Sequence, residues 1–171
     1  SKGHVMKKYI LSFLVATLLM SGSVFADGYI ATYSMKVSNP QAYAKEMDDL
    51  MASDWGKTFP ADMSFVHYAF NGYDDATHGV IVNYASEEDM ANGTSLFYQP
   101  AFGEFLGKTA AYTENVEQYL HAKILTGGNP APEMNNVYTI YRMKVQNPQA
   151  YAKAYSAVAK AQEESGNLQG G

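Results

Sequence analysis

The sequence predicts an α+β fold: a four-stranded antiparallel sheet in βαββαβ order with its helices on one face, the ferredoxin-like arrangement. Three observations predict it. Segments of strand and helix periodicity follow one another in that order between residues 29 and 125. Turn and capping residues stand where the period changes. A thirteen-residue stretch recurs 108 positions later, which sets one structural unit at about a hundred residues.

The elements can be justified in order. Residues 29–37 alternate and carry Tyr, Ile, Thr and Val, as a half-buried strand does. Asn39 is placed as an N-cap with Pro40 as the first helical residue. Tyr43, Met47, Leu50, Met51 and Trp55 then recur at helical spacing, predicting one amphipathic helix of roughly four turns. Residues 63–70 read as the second strand, Asn71 to Asp75 as a turn, and residues 78–84 as the third strand. Ser86 with Asp89 three residues on resembles a capping box. Pro100 divides the helix that follows, and Phe102, Phe105 and Leu106 continue its apolar face. Residues 116–125 complete the unit as the fourth strand.

The recurring stretch is YSMKVSNPQAYAK at residues 33–45 and YRMKVQNPQAYAK at 141–153, identical at eleven of thirteen positions. This is read as a tandem duplication. Residues 27–126 then form the first domain, 127–136 a Gly- and Pro-rich linker, and 137–171 the start of a second copy, a strand and a helix, cut short. Truncation is expected because half a unit cannot bury its own apolar face.

Residues 6–26 carry Lys7 and Lys8, an apolar run from Tyr9 to Met20, and a small-x-Ala ending at Ala26. That is the pattern of a secretory signal peptide, too short for a membrane span. Residues 1–5 precede Met6, so residues 1–26 are set apart from the fold. Cleavage after Ala26 would remove three lysines and no acid, taking the formal charge from −5 to −8. A periplasmic or secreted chain is expected, with no membrane attachment after cleavage. The acidic balance argues against nucleic acid as a partner. The absence of cysteine excludes disulfides, thiolate metal sites and a Cys nucleophile.

Period-two alternation sorts the strand residues onto two faces. Ala31, Tyr33, Met35, Val37, Val66, Tyr68, Phe70, Val80, Val82, Tyr84, Val116, Leu120, Ala122 and Ile124 form the apolar set, expected under the helices. Thr32, Ser34, Lys36, Phe65, His67, Ile81, Asn83, Glu117, Tyr119, His121 and Lys123 form a mixed set, expected on the open face. The element order, the repeat length and the Pro100-interrupted helix resemble the dimeric α+β barrel superfamily, which includes antibiotic-biosynthesis monooxygenases and stress-responsive barrel-domain proteins. The resemblance covers residues 27–125 and the start of the second copy. It implies that two sheets pair face to face, as a homodimer or as a tandem pseudo-dimer, around a pocket for a small apolar or aromatic ligand.

His67, Asn83, Tyr119 and His121 are the candidate ligand-binding residues, because all four fall in the mixed set. A neutral imidazole beside a phenol or carboxylate can orient a polar substrate or act as a base. Two histidines with Glu117 could form a facial metal site, but solvated or interfacial polar residues are the expected reading, and neither metal nor cofactor is expected. Trp55 with Phe59, Pro60, Phe97, Tyr98 and Phe102 could line an apolar pocket or simply form core. Phosphate loops, GxSxG, HExxH and EF-hand patterns are absent. The monooxygenase relatives typically use Asn, Trp and Arg, and the first copy has no Arg. Residue 34 is Ser in one copy and its counterpart 142 is Arg, whereas the buried Tyr, Met and Val are kept. That divergence favours a non-catalytic exported protein with a small-molecule-binding or assembly role. A cofactor-independent small-molecule enzyme, monooxygenase- or isomerase-like, is the alternative.

Overall fold

The computed structural model describes residues 28–125 and 139–165. The signal-peptide and linker readings lie outside the described residues. Strand β1 spans Tyr29–Val37, β2 Ala61–His67, β3 His78–Tyr84 and β4 Thr113–Ala122. Helices α1 (Pro40–Ala52) and α2 (Asp54–Thr58) join β1 to β2, and α3 (Glu87–Leu96) and α4 (Pro100–Thr109) join β3 to β4. The strands lie in the order β2-β3-β1-β4, every neighbouring pair antiparallel. This is the ferredoxin-like α+β arrangement. Its two crossovers put all four helices on one face.

Local chemistry accounts for the helix ends. The Asn39 side chain accepts from the Ala42 N–H at 3.2 Å, and Pro40 opens α1. At the start of α3 the Ser86 hydroxyl accepts from the Asp89 N–H at 3.0 Å, as the sequence suggested, and donates to the Asp89 carboxylate at 2.7 Å, so the return bond comes from the hydroxyl and not from the Ser86 backbone. The single four-turn helix expected through Trp55 is instead two. Ser53 takes an extended conformation between them, and its hydroxyl donates to the Leu50 carbonyl at 2.6 Å. Gly56 permits that corner. A side chain there would collide with the backbone carbonyl of Met51.

The core lies between the sheet and the helices. Ala31, Met35, Val37, Val80, Val82 and Tyr84 meet Tyr43, Met47 and Leu50 of α1, Trp55 of α2 and Phe105 of α4. On β2 the faces are the reverse of those expected. Phe65 stands opposite Val80 and Met63 opposite Val82, so Ala61, Met63, Phe65 and His67 face the helices. Val66 and Tyr68 face the open side, where the Tyr68 hydroxyl bonds that of Ser34 at 2.9 Å. The strand ends at His67, three residues early, and Phe70 is 85% exposed. The segment 63–70 is apolar in both parities, so alternation alone cannot choose its face.

Strand β4 begins three residues earlier than expected and carries an irregularity. Ser34 pairs with Glu117 but Met35 with Asn115, leaving Val116 as the extra residue of a β-bulge. Leu120 stands on the helix side as expected, yet it is 57% exposed. No described helix covers that edge of the sheet. Ile124 lies beyond the strand and is also exposed.

Beyond the first unit, α5 spans Pro148–Glu164. It reproduces the α1 cap: Asn147 accepts from the Ala150 N–H at 3.0 Å and Pro148 follows. The strand expected before it does not form across residues 139–147. A lone strand without neighbours to take its backbone hydrogen bonds has no reason to persist. None of the residues of α5 is buried.

Candidate functional site

Three of the four candidate residues share the open face. Ile30 of β1 stands between Asn83 of β3 and His121 of β4, and Thr32 stands beside Tyr119. The Tyr119 and His121 rings stack with centroids 5.9 Å apart. Lys123 donates to the Asn83 side-chain oxygen at 2.9 Å, crossing the strand between them. Arg142, from the second copy of the repeat, lies over the Tyr119 ring at 4.9 Å and donates to Glu117 at 3.1 Å. The Tyr119 hydroxyl bonds both Glu117 and Arg142. A polar stripe with an aromatic floor therefore runs along one side of the open face. Thr32 and Ser34 at its centre are each only 6% exposed, covered by larger neighbours. Arg142, Lys123 and Glu117 were not placed in the candidate set. The Ser34–Arg142 exchange between the two copies was the one sequence signal that marked Arg142.

His67 is not part of this stripe. It faces the helices, opposite His78, with ring centroids 5.0 Å apart. The expected grouping of His67 with His121 is thereby corrected, since the two lie on opposite faces. His67, His121 and Glu117 cannot form a facial metal triad. Among the described residues no group of three or more His, Asp or Glu converges.

His78 is buried, and its ring stacks on Phe65 at 5.1 Å. Its Nδ1 lies 2.9 Å from the Thr77 hydroxyl. Burial first, and His67 second, lower its pKa from the ordinary 6.5. Folding therefore favours the neutral ring. This contribution to stability is complete above about pH 6.5 and is lost as pH falls from there through the lowered value. The thermal midpoint of metal-free protein is expected to fall between pH 7.5 and 5, and to fall less in His78→Gln. Parallel pH profiles for the two proteins, measured by circular dichroism, would contradict this assignment.

The aromatic residues expected around a pocket form a stacked cluster on the helix side. Trp55 lies over Phe59 at 4.8 Å and Phe102 at 5.6 Å, with Phe97 at 6.3 Å. Tyr98 is no part of it and is exposed. Tyr84 reaches the same layer from the sheet. Its phenol is buried, and burial, partly offset by a hydrogen bond with the Thr94 side chain, pushes its pKa up to about 12.

No family model and no curated protein matches the chain. Several solved structures are similar to it. SnoaB from Streptomyces nogalater, a cofactor-independent oxygenase, is 14% identical with a TM-score of 0.42, over 63% of this chain and all of that one. A nipsnap family protein of unknown function from Agrobacterium tumefaciens is 24% identical with a TM-score of 0.39, over 59% of this chain and 92% of that one. A dimeric ferredoxin-like protein of unknown function from Thermobifida fusca is 12% identical with a TM-score of 0.37, over 57% and 93%. The fold itself rests on the strand order and pairing described above.

Proposed function

We propose that this chain is an exported protein that pairs with itself through the open face of its sheet and binds a small apolar or aromatic molecule there without transforming it. The observation that carries this reading is the make-up of that face. Ile30, Ile81 and Val66 surround a buried Thr32–Ser34 centre, and the Asn83–Tyr119–His121 stripe flanks them. Apolar residues around two small buried hydroxyls, with polar residues at one side, suit an interface that encloses a ligand. Asn83 and Tyr119 are already engaged by Lys123, Glu117 and Arg142, an arrangement that positions a ligand rather than one poised to move its protons.

One observation favours the second reading, a cofactor-independent enzyme. The Tyr84 hydroxyl, buried among aromatic rings, would bond a substrate oxygen reaching the helix side. Binding of an apolar fluorescent dye, anilinonaphthalene sulfonate, separates the two. The first reading expects a stoichiometric site that Asn83→Ala with His121→Ala removes while the circular dichroism spectrum is unchanged. Loss in Tyr84→Phe, with no effect of the double variant, would move the ligand to the helix side and overturn the first reading.

A further inference from the structure

We propose that His67 and His78 form a two-imidazole site for a borderline transition-metal ion, with copper(II) as its best occupant. The two residues are directly opposite on β2 and β3. The Tyr68 N–H donates to the Thr77 carbonyl at 3.0 Å, which places the β2–β3 ladder bonds on either side of positions 67 and 78. His67 and His78 are then the non-hydrogen-bonded pair, whose Cα atoms approach to about 4.5 Å and whose side chains come closest. Their ring centroids are 5.0 Å apart at 68°, edge towards face. A nitrogen of each ring can be brought to one ion at the usual metal–imidazole distance of about 2.0–2.1 Å by a small rotation of the exposed ring.

The surroundings suit ligation. Thr77 Oγ1 accepts the Val37 N–H at 2.9 Å and lies 2.9 Å from His78 Nδ1. The hydroxyl is fixed by the backbone, so it can accept a hydrogen bond from Nδ1–H of the imidazole and leave Nε2 free as the ligand. This is how outer hydrogen bonds orient metal-bound histidines. Among the described residues neither imidazole is ion-paired with a carboxylate, and neutral rings are the ligating form. His67 is exposed, which gives an entry path, whereas His78 is held in the core. The next position in this row across the sheet is Met35, a buried thioether. Imidazole and thioether together suit copper better than calcium or magnesium. The site lies on the opposite side of the sheet from the proposed ligand stripe and does not depend on it.

Titration calorimetry with copper(II) alone, at pH 7.4 in a non-coordinating buffer, tests the proposal. One ion per chain is expected. His67→Gln, an exposed change, should weaken binding by roughly tenfold or more, and Thr77→Val by about tenfold. His121→Gln should leave it unchanged. Substoichiometric copper should broaden the imidazole resonances of His67 and His78 and spare those of His121. Absence of saturable binding, binding in His67→Gln equal to that of the unaltered chain, or equal weakening by His121→Gln would overturn the assignment.

Discussion

Replacing Trp55 with Ala is expected to destabilise the domain by about 3–5 kcal/mol, the range for removing a large buried aromatic side chain. Trp55 is 4% exposed and stacks on Phe59, Phe97 and Phe102 at once, so the hole would be lined by rings that belong to three separate segments. Rigid rings held by α2, α3 and α4 cannot all close on it. The hydrogen bond is the smaller part. Trp55 Nε1 donates to the Leu96 carbonyl at 2.9 Å, but that carbonyl also accepts from the Gln99 N–H at 3.1 Å. Trp55→Phe should therefore cost only about 1 kcal/mol beyond its change in volume. Chemical denaturation of the two variants decides the matter. Similar losses would mean that the hydrogen bond, and not the stack, holds α2 in place.

The second large effect concerns self-association. Ile81 is half-buried near the middle of the open face, between Ser64 and Thr32 on the neighbouring strands. If two such faces meet about a two-fold axis, each chain places this residue in the interface, so one substitution acts twice. Ile81→Lys would bury two unpaired charges, each costing several kcal/mol. Dimer affinity should fall at least about a hundredfold, since roughly 1.4 kcal/mol is tenfold. The monomer should keep its circular dichroism spectrum, because a lysine at that position reaches solvent in a single chain. Sedimentation equilibrium at micromolar concentration reads both states. A monomeric unaltered chain, or a dimer indifferent to Ile81→Lys, would remove the sheet face from the interface.

Several features of the fold were legible in the residues alone, and the failures have physical causes. Strands β1 and β3 sit at the centre of the sheet and are buried on the helix side, so their alternation is clean and both were read to the residue. Asn39-Pro40, Ser86 and Pro100 mark helix starts because a cap or a missing N–H acts locally. The edge strands β2 and β4 were read less well. On β2, apolar residues of both parities hid the face, and the pairing of Phe65 with Val80 settles it through contacts distant in sequence. This misplacement carried His67 into a candidate site on the wrong side. On β4, Glu117, Tyr119 and His121 fell on the right face, but their partner Arg142 comes from a segment read as a strand of its own. In the sequence His78 stands at a strand start close to Asp74 and Asp75, which points to the surface, whereas in the fold Lys36 takes Asp75 at 2.6 Å and the imidazole is buried.

The bulge at Val116 decides which groups the open face carries. Upstream of it, Thr113 and Asn115 share the side of Val37 and Met35; downstream, Glu117, Tyr119 and His121 share that of Ser34, Thr32 and Ile30. Paired from the same start without the bulge, Val116, Gln118 and Leu120 would stand opposite Ser34, Thr32 and Ile30, and the open face would be largely apolar. Losing the Val116 codon, in contrast, closes the bulge and leaves Glu117, Tyr119 and His121 opposite the partners they already have. An in-frame deletion of three nucleotides at that codon would be silent for the chemistry of the stripe. The same deletion at Gln118, with the bulge kept, would turn Tyr119 and His121 to the helix side.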